Sequence, residues 1–175
     1  MDIITLIVTL ILGICVLLTY YIIFAKKMPG PGGYQNHPAW IGIHTSTIKI
    51  LIAFQVLAAI GFIVAIWTWI VNPPQGGIAG GGRLPWLVAL FILSAIIWPV
   101  ALYYKIHWLV VLSLITTAIG TILLLAGSVE EDNSRWWVVL GFLMLNVVTV
   151  LGDGVMWNSV YIKALQNGTL DLKSR

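Results

Sequence analysis

Charge is scarce in this chain. Nine Lys and Arg and six Asp and Glu make up 9% of its 175 residues, against about 25% in soluble domains. The deficit excludes an ordinary water-soluble globule. Cysteine is nearly absent, and the single Cys15 excludes an intrachain disulfide and Cys-x-x-Cys redox chemistry. His37, His44 and His107 are the only histidines. They show no His-x-x-x-His spacing, so no metal site is expected, and none lies deep in an apolar run where facing helices would hold a haem. Hydroxyls are plentiful, but no Gly-x-Ser-x-Gly or His–Asp arrangement accompanies them, so an enzyme is not expected. The glycine-rich stretch from Asn72 to Gly82 lacks the Gly-Lys-Ser/Thr of a phosphate-binding loop. No cofactor follows from any of these patterns.

Apolar residues fill the space that charge leaves: the chain is 60% hydrophobic with a mean hydropathy of +1.01. Five long runs account for most of it, Ile3–Phe24, Ile48–Val71, Pro85–Tyr104, Ile106–Ala126 and Trp136–Ile162. Each is near or above the ~20 residues a helix needs to cross a ~30 Å hydrocarbon core. The expectation is an all-α integral membrane protein, a bundle of five transmembrane helices forming one domain over residues 1–175, with the lipid bilayer as its main partner. The connections are too short to bury a core of their own. A net charge of +3 is spread singly around the helix ends, which reads as a topology signal and not as a nucleic-acid surface.

Those charges orient the bundle. Lys26, Lys27, Lys49, Lys105, Lys163, Lys173 and Arg175 fall on one side of a five-crossing map, and Arg83 and Arg135 on the other, with Asp2, Glu130, Glu131 and Asp132. Positive charge favours the cytoplasmic side, so the N-terminus is expected outside and the C-terminus in the cytoplasm. The Asn167-Gly168-Thr169 sequon then faces away from the glycosylation machinery. The first run has no basic leader or small-residue cleavage pattern and reads as a retained helix. Met28-Pro29-Gly30-Pro31-Gly32-Gly33 stops it, Pro38 to Ile43 forms an interfacial patch, and Thr45 or Ser46 caps the second helix. Tryptophan and tyrosine near the run ends read as interfacial belts.

Helix packing in lipid relies on small and hydroxyl residues at helical spacing. Thr5, Thr9 and Gly13 form one such stripe, Gln55, Ala58, Phe62 and Ala65 a second, and Ser113, Thr117 and Thr121 a third. Pro99 should bend the third helix, with Ser94 serving the carbonyl that proline leaves free. The exception to the apolar rule is Asp153, about 6 Å beyond the midpoint of the fifth run. An acid at the bilayer centre costs about 2.5–3.5 kcal/mol on insertion scales, so it should face protein, carry a partner or hold a proton. Asn146, Thr149 and Asp153 fall at i, i+3 and i+7 and so share a face, with Trp157 one turn further along; Gly152 and Gly154 let a neighbour approach, and Lys49 enters from the same side as a candidate ion-pair partner.

Two functions fit this pattern. One is a non-enzymatic structural component or subunit of a membrane assembly, with other membrane protein subunits or copies of itself as partners. The other is a small oligomeric channel or carrier for protons or cations, with Asp153, Asn146, Thr149 and Lys49 as its site. Asp153 is what separates them.

Overall fold

The computed structural model describes residues 1–28, 40, 43–131 and 135–168. Five helices among them are long and apolar enough to cross a membrane: α1 (Ile3–Lys27), α2 (Ser46–Val71, with its first turn opening at Thr45), α3 (Leu84–Tyr103), α4 (His107–Glu130) and α5 (Trp136–Gln166). The described residues contain no strand, as hydrocarbon demands of an open chain whose backbone groups must bond internally.

Local chemistry sets the helix ends. Asp2 caps α1, its Oδ1 accepting from the Thr5 amide at 3.0 Å and its Oδ2 from the Thr5 hydroxyl at 2.6 Å. At α2 the cap is His44, whose Nδ1 accepts from the Ser46 amide at 3.4 Å, in place of the expected Thr45 or Ser46. Pro85 sits in the first turn of α3, where its missing N–H costs nothing. Lys105 ends α3 in the left-handed region, at φ 59°, where glycine would be usual. The helices outlast their apolar runs: α4 continues to Glu130 and α5 to Gln166, because lipid thickness limits hydropathy and not backbone hydrogen bonding.

Winding departs from expectation more sharply. α1 is α-helical to Tyr20 and then π-helical over Tyr21–Lys27. α5 is α-helical over Trp136–Asn146, π-helical over Val147–Trp157 and α-helical again over Asn158–Gln166. A π segment bonds i to i+5 and is usually confined to one turn, often at a functional site; the second one spans 11 residues.

α3 and α4 pack as a hairpin, α1 lies on α3, α5 on α4, and α2 on α5. α1 and α2 therefore rest on different supports and meet where the Asp2 amide donates to the Ile70 carbonyl at 2.7 Å. We call this the loop end, since the Asn72–Arg83 connection lies there, and the opposite one the lysine end. The main core gathers Trp69, Ile70, Val88, Leu124 and Phe142; a smaller core at the lysine end gathers Leu102, Val110, Leu114, Trp157 and Tyr161. The Met28–Gly33 stop, the Pro38–Ile43 patch, the Thr169 end of the sequon, and Asp132, Lys173 and Arg175 lie wholly or partly outside the described residues.

Small residues do mark close helix approach, at positions other than some of those expected. Gly61 of α2 and Gly141 of α5 bring the two backbones together: a Cβ on Gly61 would stand 3.0 Å from the Gly141 Cα, and one on Gly141 would run into the Gly61 carbonyl. Ala58 and Ala65 are buried beside this crossing. Gly13, expected in a packing stripe, has nothing within 4 Å of where its Cβ would be; α1 is held elsewhere along its length. Trp67, Trp86, Trp108 and Trp136 are exposed as belt residues should be, whereas Trp69 and Trp157 are buried in the two cores.

Candidate functional site around Asp153

The α4 hydroxyl stripe lies inside the bundle. Ser113, Thr117 and Thr121 are buried, and each hydroxyl is bonded. Ser113 Oγ donates to the Val110 carbonyl at 2.9 Å. Thr117 Oγ1 approaches both the Ser113 carbonyl at 2.8 Å and Ser94 Oγ of α3 at 2.9 Å. Ser94 itself turns back to the Leu90 and Phe91 carbonyls, each at 2.8 Å, so it does not serve the carbonyl opposite Pro99. Thr121 Oγ1 meets Thr149 Oγ1 of α5 at 2.7 Å. One of the two must accept, so only one of the Ala118 and Leu145 carbonyls behind them receives a proton at a time. Asn146 closes the junction by donating to the Thr121 carbonyl at 2.7 Å and the Phe142 carbonyl at 2.9 Å.

Asp153 stands apart from this network. It lies in the π segment Val147–Trp157, whose i to i+5 bonding changes its angle to Asn146 from the one that uniform α winding would give. Its neighbours fix the direction. Gly152 faces Leu51 of α2, and Gly154 faces Ala118 of α4, each at an ordinary 3.5 Å contact for an added Cβ. Asp153 lies between the two in the π-wound segment of α5. The side chain is partly buried, and no hydrogen bond or ion pair joins its carboxylate to another described residue. Lys49 is exposed and forms no ion pair with it.

Aromatic rings gather at the smaller core. The Trp98 indole N–H of α3 donates to the Tyr20 hydroxyl at 2.8 Å, and the two rings meet edge to face with centroids 5.9 Å apart. Phe24 lies 5.3 Å from both. Trp98 touches Trp157 at 5.7 Å, and Trp157 stacks on Tyr161 at 4.6 Å. The Tyr161 hydroxyl reaches His107 Nδ1 at the start of α4, at 2.8 Å. Rings from α1, α3 and α5 are thus held in one continuous group.

No protein-family model, curated protein or solved structure matches the chain. Its chemistry rests on its own residues.

The structure brings Asn146, Thr149 and Thr121 together, with Ser113 and Thr117 on the same helix, and leaves Asp153 and Lys49 outside that group. Thr5 is fully buried and serves the α1 cap; the Thr9 hydroxyl is buried with no hydrogen-bond partner. Tyr20 and Trp98 are the site residues that sequence reasoning missed. Tyr20 passed as a belt residue. Trp98 sits next to Pro99 inside the third run, away from any boundary, and that position was the available signal.

Proposed function

We propose that the chain is a non-enzymatic structural component or subunit of a membrane assembly, with its N-terminus outside and its C-terminus in the cytoplasm. The observation that carries this reading is the closed α4 seam: Ser94, Ser113, Thr117, Thr121, Asn146 and Thr149 direct their polar atoms at one another and at helix carbonyls, so they act as interhelical glue. α1 and α2 meanwhile turn rows of large apolar side chains outward, including Ile7, Leu10, Ile14, Phe54, Ile60 and Ile63, available to lipid, to other subunits or to copies of the same chain. The test is reconstitution. Purified protein in vesicles should show no proton or cation flux above empty vesicles, and Asp153→Asn should alter only stability or the recovery of partners.

A second reading, a small oligomeric channel or carrier for protons or cations, is favoured by the carboxylate of Asp153, which pairs with no other described residue and lies within an extended π segment, because intramembrane acids are functional candidates by default. Robust wild-type flux that Asp153→Asn removes would establish it and displace the first. Orientation is tested in a Cys15→Ser background with Gly76→Cys and Lys163→Cys, both at exposed positions. An impermeant thiol reagent added outside should label the first and spare the second; the reverse order would overturn the assignment.

A further inference from the structure

Asn146, in α5, donates twice inside the bundle. Gln55, near the middle of α2, is the contrasting case: it is partly exposed, and no described residue bonds its side-chain amide. Hydrocarbon offers an amide nothing in exchange for water, so an unpaired one at this depth carries a standing cost. Gln55 lies at the edge of the buried face of α2. On one flank Ala58 is buried beside the crossing with α5; on the other Ala59 is exposed, with Ile63 exposed one turn further on and Ile52 partly buried one turn before. Ile52, Gln55, Ala59 and Ile63 follow one another at steps of three and four residues and form one stripe. Its smallest member stands next to the amide, where another backbone can come close. We propose that two copies of the chain pair along this stripe of α2, each Gln55 amide donating to and accepting from the other. The inference rests on the reading of the chain as a component of a membrane assembly, and it names the partner.

The amide selects a second copy as the occupant. Lipid chains have no hydrogen bond to give it, and a different protein would need a polar group at this one depth. A second copy has that group by construction. Copies inserted with the same topology differ by a rotation about the membrane normal, which keeps every residue at its own depth. A two-fold axis along that normal sets Gln55 opposite Gln55. The pair is self-complementary, because an amide carries two donors and an acceptor with two lone pairs, so each side can use its carbonyl and one N–H on the other. The fold leaves room for the contact. Gly61, where α5 crosses, is two residues beyond Ala59 and points nearly the opposite way, so a partner on the stripe does not displace α5.

Sedimentation equilibrium in density-matched detergent micelles measures the pairing. Wild type should show a reversible monomer–dimer equilibrium, and Gln55→Leu should raise its dissociation constant about threefold or more. Ala59→Leu, at an exposed position that the single chain leaves uncovered, should weaken pairing as well by holding the helices apart. Helical circular dichroism identifies any variant that fails to fold, and the other then decides. The contact is located in membranes of the expressing host, in a Cys15→Ser background: oxidation should give disulfide-linked dimers from Ala59→Cys and none from Leu57→Cys, which is exposed on the opposite side of α2. A wild type that stays monomeric, as a stripe covered by lipid or reserved for another protein would leave it, overturns the proposal. So do dimers indifferent to both substitutions, or a cross-link at position 57 and none at 59. Failure here is distinct from failure of the component reading, which falls on ion flux and not on self-association.

Discussion

A single methyl group added at Gly141 and at Gly13 should have opposite effects on stability. Both glycines lie in membrane-spanning helices, where replacing glycine by alanine ordinarily gains roughly 0.5–1 kcal/mol through reduced backbone freedom. At Gly13 that gain stands alone, because nothing lies within 4 Å of the new Cβ. At Gly141 the Cβ would overlap the Gly61 carbonyl oxygen, stand 2.9 Å from its carbon and 3.1 Å from the Ala65 Cβ. Two of these are backbone atoms, which cannot rotate away, so α2 and α5 must separate along the crossing that anchors α2. Overpacking of a tight core costs about 1–3 kcal/mol, and the lost contacts of Ala58 and Ala65 place this case at the upper end. The net expectation is a loss of roughly 2 kcal/mol for Gly141→Ala and a gain of up to about 1 kcal/mol for Gly13→Ala. Thermal unfolding in a single detergent, followed by circular dichroism and by tryptophan fluorescence, measures both. A Gly141→Ala protein as stable as wild type would refute the crossing, and a Gly13→Ala protein destabilised to the same degree would refute the placement of α1.

Three further outcomes are expected. Thr121→Val and Thr149→Val should each destabilise by about 0.5–1.5 kcal/mol, with a double-mutant coupling of about 0.6 kcal/mol or more in detergent unfolding; strictly additive losses would disprove the shared hydrogen bond. Lys49→Leu should change stability by less than about 0.5 kcal/mol and add to Asp153→Leu without any recovery in the double variant, because the structure holds the two apart. Lys105→Gly should stabilise the protein and Lys105→Val destabilise it, by about 1 kcal/mol in each direction in detergent unfolding, since the left-handed backbone between α3 and α4 suits glycine and is hardest on a β-branched residue.

The five spans were legible because hydrocarbon leaves a chain no economical alternative to continuous helix, and runs of apolar residues record that demand directly. The buried stripe of Ser113, Thr117 and Thr121 was legible for the same reason: hydroxyls four residues apart on one helix face must find acceptors inside the protein. The winding of α1 and α5 was not, because i to i+4 and i to i+5 bonding draw on the same composition, and nothing in Val147–Trp157 discriminates between them. That missing turn angle changes where Asp153 stands relative to Asn146. Contact partners were equally hidden. Gly13 and Gly141 are both glycines in apolar runs, and only the approach of a helix 80 residues away in the chain, at Gly61, tells them apart. Tyr20 escaped because an aromatic residue near a membrane boundary has a sufficient explanation in the interface, and its meeting with Trp98 depends on which helices lie side by side.

The π-wound stretch of α5 also bears on which changes in chain length the fold can absorb. An α-helix has no spare residues: removing one rotates everything downstream by about 100° and would pull Tyr161 away from His107. A wider winding holds surplus residues between fixed ends. Deleting one residue within Val147–Trp157 lets the segment tighten towards α geometry while Asn146 on one side and Asn158 on the other keep their neighbours. A change of length that would be ruinous in α3 or α4 is therefore best absorbed in the stretch that carries Asp153, and the direction of that carboxylate would change with it while the rest of the bundle stayed in place.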